Sequence, residues 1–145
     1  MNGDELRHEC NVAFAAGNRE EAYRKLMLLQ QWPPTEPDYL SCAVMALAPD
    51  IFQDGIRFAL QGIDNIPSSC DPVDYECSCN FIAGYCFDKL GDLPEALRHF
   101  ERASALNPKD TSLALISDVT KKMVRSQRMQ AIRDRLSQLL GRLRP

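Results

Sequence analysis

The chain has 145 residues, 45 % of them apolar and 26 % charged, with a formal net charge of −3 at pH 7. That is the profile of one globular domain large enough to bury a core unaided, rather than of a disordered chain. No apolar run approaches the roughly 20 residues of a membrane-spanning helix, and the opening "MNGDELRHEC" lacks the apolar segment of a secretory leader, so a soluble, cytoplasmic chain is expected.

The mild net charge conceals an asymmetry. Residues 1–120 hold 9 basic and 19 acidic side chains, whereas residues 121–145 hold 8 basic and 1 acidic. An acidic body carries a basic tail.

Apolar and small residues recur at helical spacing along the whole chain and nothing alternates with the period of a strand, so the expected fold class is all-α. Helices are expected near 3–16, 19–32, 37–48, 50–64, 72–90, 93–106 and 111–142. The first two are joined at "GNREEA" (Gly17 to Ala22) and end at Pro34. The fourth, "DIFQDGIRFALQGIDNIP", carries Gly55 where the first pair has Ala22, and ends at Pro67, but its pair lacks a central glycine. Asp71-Pro72 reads as an N-cap followed by proline in the first turn. The helix it opens reaches about residue 89, absorbing an insertion near 70–76. "GDLPEA" (Gly91 to Ala96) then repeats the first pair's junction, and Asn107-Pro108 stops the sixth helix.

Pro34 to Pro67 spans 33 residues and Pro67 to Pro108 spans 41, which is a repeat with one insertion. The pattern resembles the tetratricopeptide repeat. The third copy carries Gly84, Phe87, Gly91, Ala96, Phe100, Ala103 and Pro108 at that family's small, aromatic and terminator places. The first carries Cys10, Ala13, Gly17, Ala22 and Pro34, and the second Ala43, Ala46, Gly55 and Pro67. The resemblance implies a right-handed superhelix of three helical hairpins over residues 3–110, with repeats at about 3–36, 36–69 and 77–110, followed by a basic helix over 111–145.

In that family the first helix of each pair lines a concave groove. Carried over residue by residue, the lining is Arg7, Asn11 and Phe14, then Leu40, Val44 and Leu47, then Phe81, Tyr85 and Asp88. Such a surface suits a hydrophobic or amphipathic peptide of a partner protein, or a terminal segment of the chain itself. The carboxylate clamp that some members use for acidic tails is not expected. Arg7 and Asn11 match its first part, but Ser41 stands where a second asparagine is needed, and Ser78 and Ile82 stand at the two basic places.

A narrower resemblance covers residues 38–125. Tyr39, Cys42, Asp50, Ile51, Gly55, Ile56, Asp74, Tyr75, Gly84 and Tyr85 look like the cytosolic domain of the mitochondrial fission adaptor family. This implies an adaptor at an organelle surface. That family ends in a membrane anchor whereas this sequence ends in "LLGRLRP", so membrane contact is expected to be peripheral at most.

Catalytic patterns are missing. His8 and His99 sit among charged neighbours ("LRHEC", "LRHFE") and are expected at the surface. No glycine loop, nucleophile elbow or H-E-x-x-H is present. Glu20, Glu21 and Glu95 fall at helix N-termini, where they offset the helix dipole. Of the six cysteines (Cys10, Cys42, Cys70, Cys77, Cys79, Cys86), Cys77 and Cys79 form the only close pair. Two residues apart on a helix they diverge by about 200°, so free, mostly buried thiols are expected rather than a metal site. No cofactor and no enzymatic activity is expected.

In the tail, Met129, Ile132, Leu136, Leu139 and Leu143 follow a 3-4-3-4 spacing over about two heptads, with Arg125, Arg128, Arg133, Arg135 and Arg142 around them. Three readings stand open: packing on the last repeat or against a second copy, docking on a partner's acidic or apolar surface, and an anionic membrane surface or nucleic acid. Nucleic acid is the least expected, because the tail has no aromatic residue. The function expected is a non-catalytic interaction scaffold. Its alternatives are a secretion chaperone for an apolar segment and an assembly subunit that self-associates through the tail.

Overall fold

The computed structural model describes residues 2–30, 39–47 and 49–143. These form seven helices and no strand: α1 (Gly3–Ala15), α2 (Arg19–Gln30), α3 (Tyr39–Ala46), α4 (Phe52–Asp64), α5 (Pro72–Lys89), α6 (Leu93–Leu106) and α7 (Asp110–Arg142). Pro34, the expected end of the second helix near 32 and the expected start of the third near 37 lie outside the described residues.

The helix starts follow from their caps. Asn2 and Glu5 form a reciprocal capping box at α1, with Asn2 Oδ1 accepting from Glu5 N at 2.8 Å and Glu5 Oε2 accepting from Asn2 N at 2.9 Å. Asp71 caps α5 by accepting from the amides of Val73 and Asp74, and Pro72 fills the first turn, where no amide is needed. The extra turns therefore belong to α5, which runs to Lys89 as the sequence suggests.

The hairpin turns repeat one geometry. After α1, Asn18 N reaches back to Ala13 O at 2.9 Å across Gly17, whose φ is +80°. After α5, Asp92 N reaches Phe87 O at 2.9 Å across Gly91, at φ +82°. Each is a helix end closed by a left-handed residue, which glycine adopts without a Cβ clash. The hairpin of α3 and α4 has no glycine there, yet Ile51 N reaches Ala46 O at 3.1 Å across Asp50, at φ 56°. Aspartate is among the few other residues that tolerate this conformation. The missing central glycine thus leaves the turn itself intact.

Two buried clusters share α5. The larger draws on α1 to α5 through Cys10, Leu26, Cys42, Met45, Phe58, Cys79, Ile82 and Cys86; the smaller is Ala96, Phe100 and Val119, with Tyr85, Phe87, Leu115, Ile116 and Met123 around it. Between α4 and α5 the contact is a ladder of thiols set into glycines. A Cβ on Gly55 would stand 2.9 Å from Cys86 Sγ, and one on Gly62 would stand 2.9 Å from Cys79 Sγ. Both pairs are seven residues apart and run in opposite directions, so each helix presents one stripe to the other. Gly84 does the same for Phe100, whose ring carbons lie 2.8 Å from its would-be Cβ. Burying Phe58 and Phe100 contributes ~1.5–3 kcal/mol each.

The start of α7 packs on α6, and the rest does not. Ser112 and Val119 are buried and Met123 is half-buried, while residues 124–143 are exposed throughout. The expectation that the tail leucines pack on the last repeat is therefore corrected: Met129, Ile132, Leu136, Leu139 and Leu143 are 50–79 % exposed. Length is the reason. At 1.5 Å per residue α6 offers about 21 Å of surface, and α7 is about 50 Å long.

Candidate functional site

A cleft of about 460 Å³ opens between α3, α5 and the first turn of α7. On α3, Leu40 and Val44 lie one turn apart on one face, while Cys42, Ala43, Met45 and Ala46 turn into the core. The first turn of that short helix is anchored by Tyr75, whose hydroxyl oxygen accepts from Leu40 N at 3.2 Å. A helix amide with no partner in its own helix is thereby satisfied.

On α5, Phe81 and the buried Ile82 supply the apolar wall, and Phe81 is held edge-on to Phe100 with centroids 5.8 Å apart and planes at 67°. Cys77 and Ser78 stand one turn earlier. The Cys77 thiol donates to Ala103 O at 3.4 Å, and burial pushes its pKa up, so it lines the cleft as a thiol. Lys109, Thr111 and Ser112 close the third side with one cation and two hydroxyls. The arrangement is an aliphatic and aromatic hollow with a polar, singly cationic edge. Such a surface can take apolar side chains and pair with a nearby carboxylate.

Of the nine lining residues expected from the repeat register, the structure brings Leu40, Val44 and Phe81 together here. Tyr85, one turn further along α5, is half-buried between α4 and its own helix: Phe52 meets it edge-on at 6.2 Å, and Lys89 Nζ lies 5.3 Å from its ring centroid. Asp88 is held by Lys122 of α7, whose Nζ lies 2.9 Å and 3.0 Å from its two carboxylate oxygens. Leu47 is packed against the main core. Arg7, Asn11 and Phe14 are exposed on α1 and none of them lines this cleft; Phe14 carries the Arg19 guanidinium 6.0 Å from its ring centre. A shallower hollow between α1 and α2, with Val12, Ala13 and the Glu9–Lys25 ion pair on its walls, has no counterpart in the sequence reading.

One histidine lies where it was not expected. His8 is exposed, but His99 is 4 % exposed, so its expected surface position is corrected. Its ring stacks on Phe87 at 5.4 Å and 11°. Arg98 can only donate to Nε2, at 3.4 Å, so Nδ1 carries the proton given to Asn80 Oδ1 at 2.9 Å. Burial first, then the Arg98 charge, holds the imidazole below its usual pKa. The signal was in the spacing: Ala96, His99, Phe100 and Ala103 form one inward stripe.

None of the six cysteines forms a disulfide. Cys10, Cys42, Cys79 and Cys86 are buried, Cys77 is half-buried and Cys70 is exposed. Cys77 and Cys79 face different helices, α6 and α4, as their two-residue separation requires. Among the described residues no group of three or more metal-ligating side chains comes together, and no helix is long and apolar enough to cross a membrane.

Residues 78–110 match the family model of the tetratricopeptide repeat, a stretch that begins at the cleft's Ser78 and ends at the start of α7. Among solved structures the chain is similar to PcrH from Pseudomonas aeruginosa, at a TM-score of 0.57 and 18 % identity, covering 82 % of this chain and 86 % of that one. No curated protein sequence matches it. The fold is thus that of a tetratricopeptide-type helical repeat protein, with α1/α2, α3/α4 and α5/α6 as its hairpins and α7 beyond them.

Proposed function

We propose that this chain is a non-catalytic protein-interaction adaptor that holds an apolar or amphipathic segment of a partner protein in the cleft between α3, α5 and α7. The carrying observation is the convergence of Leu40, Val44 and Phe81 on one hollow whose floor is already packed. A preformed hollow of this kind needs little rearrangement to accept a side chain. Lys109 at its edge favours a segment with a carboxylate beside the apolar anchor, a pairing that orients the segment more than it tightens it. The tetratricopeptide match supports a binding role, because its residues supply Ser78, Phe81, Ile82 and Lys109 of the cleft. Six cysteines, four of them buried and none in a disulfide, suit a reducing compartment such as the cytoplasm.

An array of amphipathic and extended peptides, probed with the full chain, tests the reading. Peptides with two apolar anchors and a neighbouring acid are expected to be retained, and a chain carrying V44E to lose them while remaining folded, with a cooperative melting transition at a somewhat lower temperature. Equal retention by the V44E chain would remove the cleft as the site.

A further inference from the structure

The projecting half of α7 carries an apolar stripe on which nothing packs among the described residues. Counting 100° per residue, the stripe of Met129, Ile132, Leu136, Leu139 and Leu143 is centred roughly 140° from the face that packs on α6. The body of the same molecule therefore cannot cover it by extending its own contact. Each of the five side chains is at least half exposed.

What could cover it follows from the charges on either side. With Met129, Leu136 and Leu143 at the first core position of a heptad and Ile132 and Leu139 at the second, the flanking positions are Arg128, Arg135 and Arg142 on one side and Arg133 and Leu140 on the other. Four of these five are arginine and none is acidic. The single acid of the segment, Asp134, lies on the far face and is hydrogen-bonded to Gln130 Nε2 at 2.9 Å. Two copies of this helix, parallel or antiparallel, would set arginine against arginine along the seam, which disfavours pairing. A helix with glutamate or aspartate at the same positions would meet four fixed cations.

We infer that the exposed stripe of α7 is a docking surface for an amphipathic, acid-flanked helix of a different protein, and that its arginines exclude a second copy of this chain. This surface lies apart from the cleft, so either could fail without the other. It gives the chain two attachment points, and the second takes its specificity from charge.

The test uses the full chain and a charge-reversed form carrying R128E, R133E, R135E and R142E. In sedimentation at 100 mM salt each alone is expected to remain monomeric, and an equal mixture to form a one-to-one complex that dissociates in 1 M salt. A three-heptad peptide with leucine in its core and glutamate on its flanks is expected to bind the unmodified chain at least tenfold more tightly than the lysine-flanked version. The doubly substituted L136D/L139D chain is expected to bind neither. A dimer of the unmodified chain alone, no complex in the mixture, or equal affinity for the two peptides would overturn the inference. Binding to phosphatidylserine vesicles without a mixed complex would also overturn it, assigning the stripe to a lipid surface.

Discussion

The thiol of Cys86 occupies the space a side chain on Gly55 would need: a Cβ there would stand 2.9 Å from Sγ. Neither residue has room to yield, since Cys86 is fully buried and Ala43 and Ala46 close the other side of Gly55. G55A is expected to destabilise the fold by ~1–3 kcal/mol through overpacking, and C86A by about 1 kcal/mol through a lost contact. In urea titrations the double variant should cost less than the two singles together by more than about 0.5 kcal/mol. Strict additivity would mean that the two helices are not held at this distance in solution.

Cleft and core can be compared through one residue on α3 and one on α5. Tyr85 is spent on Phe52 and Lys89, so Y85E is expected to lower stability by ~2–4 kcal/mol. Val44 is partly buried against the main core at the edge of the cleft, and V44E is expected to cost about 1–2 kcal/mol, less than Y85E. Unfolding curves for the two variants check the ordering.

Acid should weaken the fold through His99. Its folded-state pKa lies below the usual 6.5 because burial, then Arg98, disfavours the imidazolium. Below about 6.5 the unfolded chain takes up a proton that the folded chain refuses, so the neutral ring's contribution is whole above that pH and is lost as pH falls towards the folded value. Urea midpoints between pH 7.5 and 5 are expected to fall more steeply for the unmodified chain than for H99Q. Parallel slopes would place the histidine in water.

Thiol reactivity should follow burial. Burial pushes the Cys86 thiol up to about 11 and raises Cys10 and Cys77 as well, and only the thiolate attacks. In the native chain at pH 8 an alkylating reagent is expected to modify Cys70 first, and Cys10, Cys42, Cys79 and Cys86 only once urea is added. Mass-mapped labelling reads this directly.

The tail should be dispensable for the body. A chain ending at Val124 is expected to keep its stability within about 0.5 kcal/mol, because residues 125–143 are exposed throughout. Its far-ultraviolet helical signal should fall by less than the residue count lost, since an unsupported helix of this length frays. A large drop in melting temperature would show that the stripe is covered after all.

Much of this architecture could be read before any coordinates. Caps and breakers are local chemistry, so Asp71-Pro72 and Asn107 mark their helix ends plainly, and the small residues at Ala83, Gly84, Ala96 and Ala103 mark close approaches. The register of the repeats also places Leu40, Val44 and Phe81 on one side. Tyr85 and Asp88 share that register, but Phe52 and Lys122, far away in sequence, engage them. Periodicity within one helix cannot report such contacts. His99 was hidden differently, its inward spacing masked by charged neighbours. Nor does a heptad pattern say which way its stripe faces. For α7 that depends on how far α6 reaches.

The order of contacts along the chain has one further consequence. From α3 onward each helix packs chiefly on its neighbours in sequence, as α1 does on α2, and contacts that skip a neighbour, such as those of α3 with α5 or Asp88 of α5 with Lys122 of α7, are fewer. Short loops close quickly and at small entropic cost. A nascent polypeptide of this design can therefore settle hairpin after hairpin while synthesis continues, with the basic helix emerging only after the hairpins on which its first turns pack.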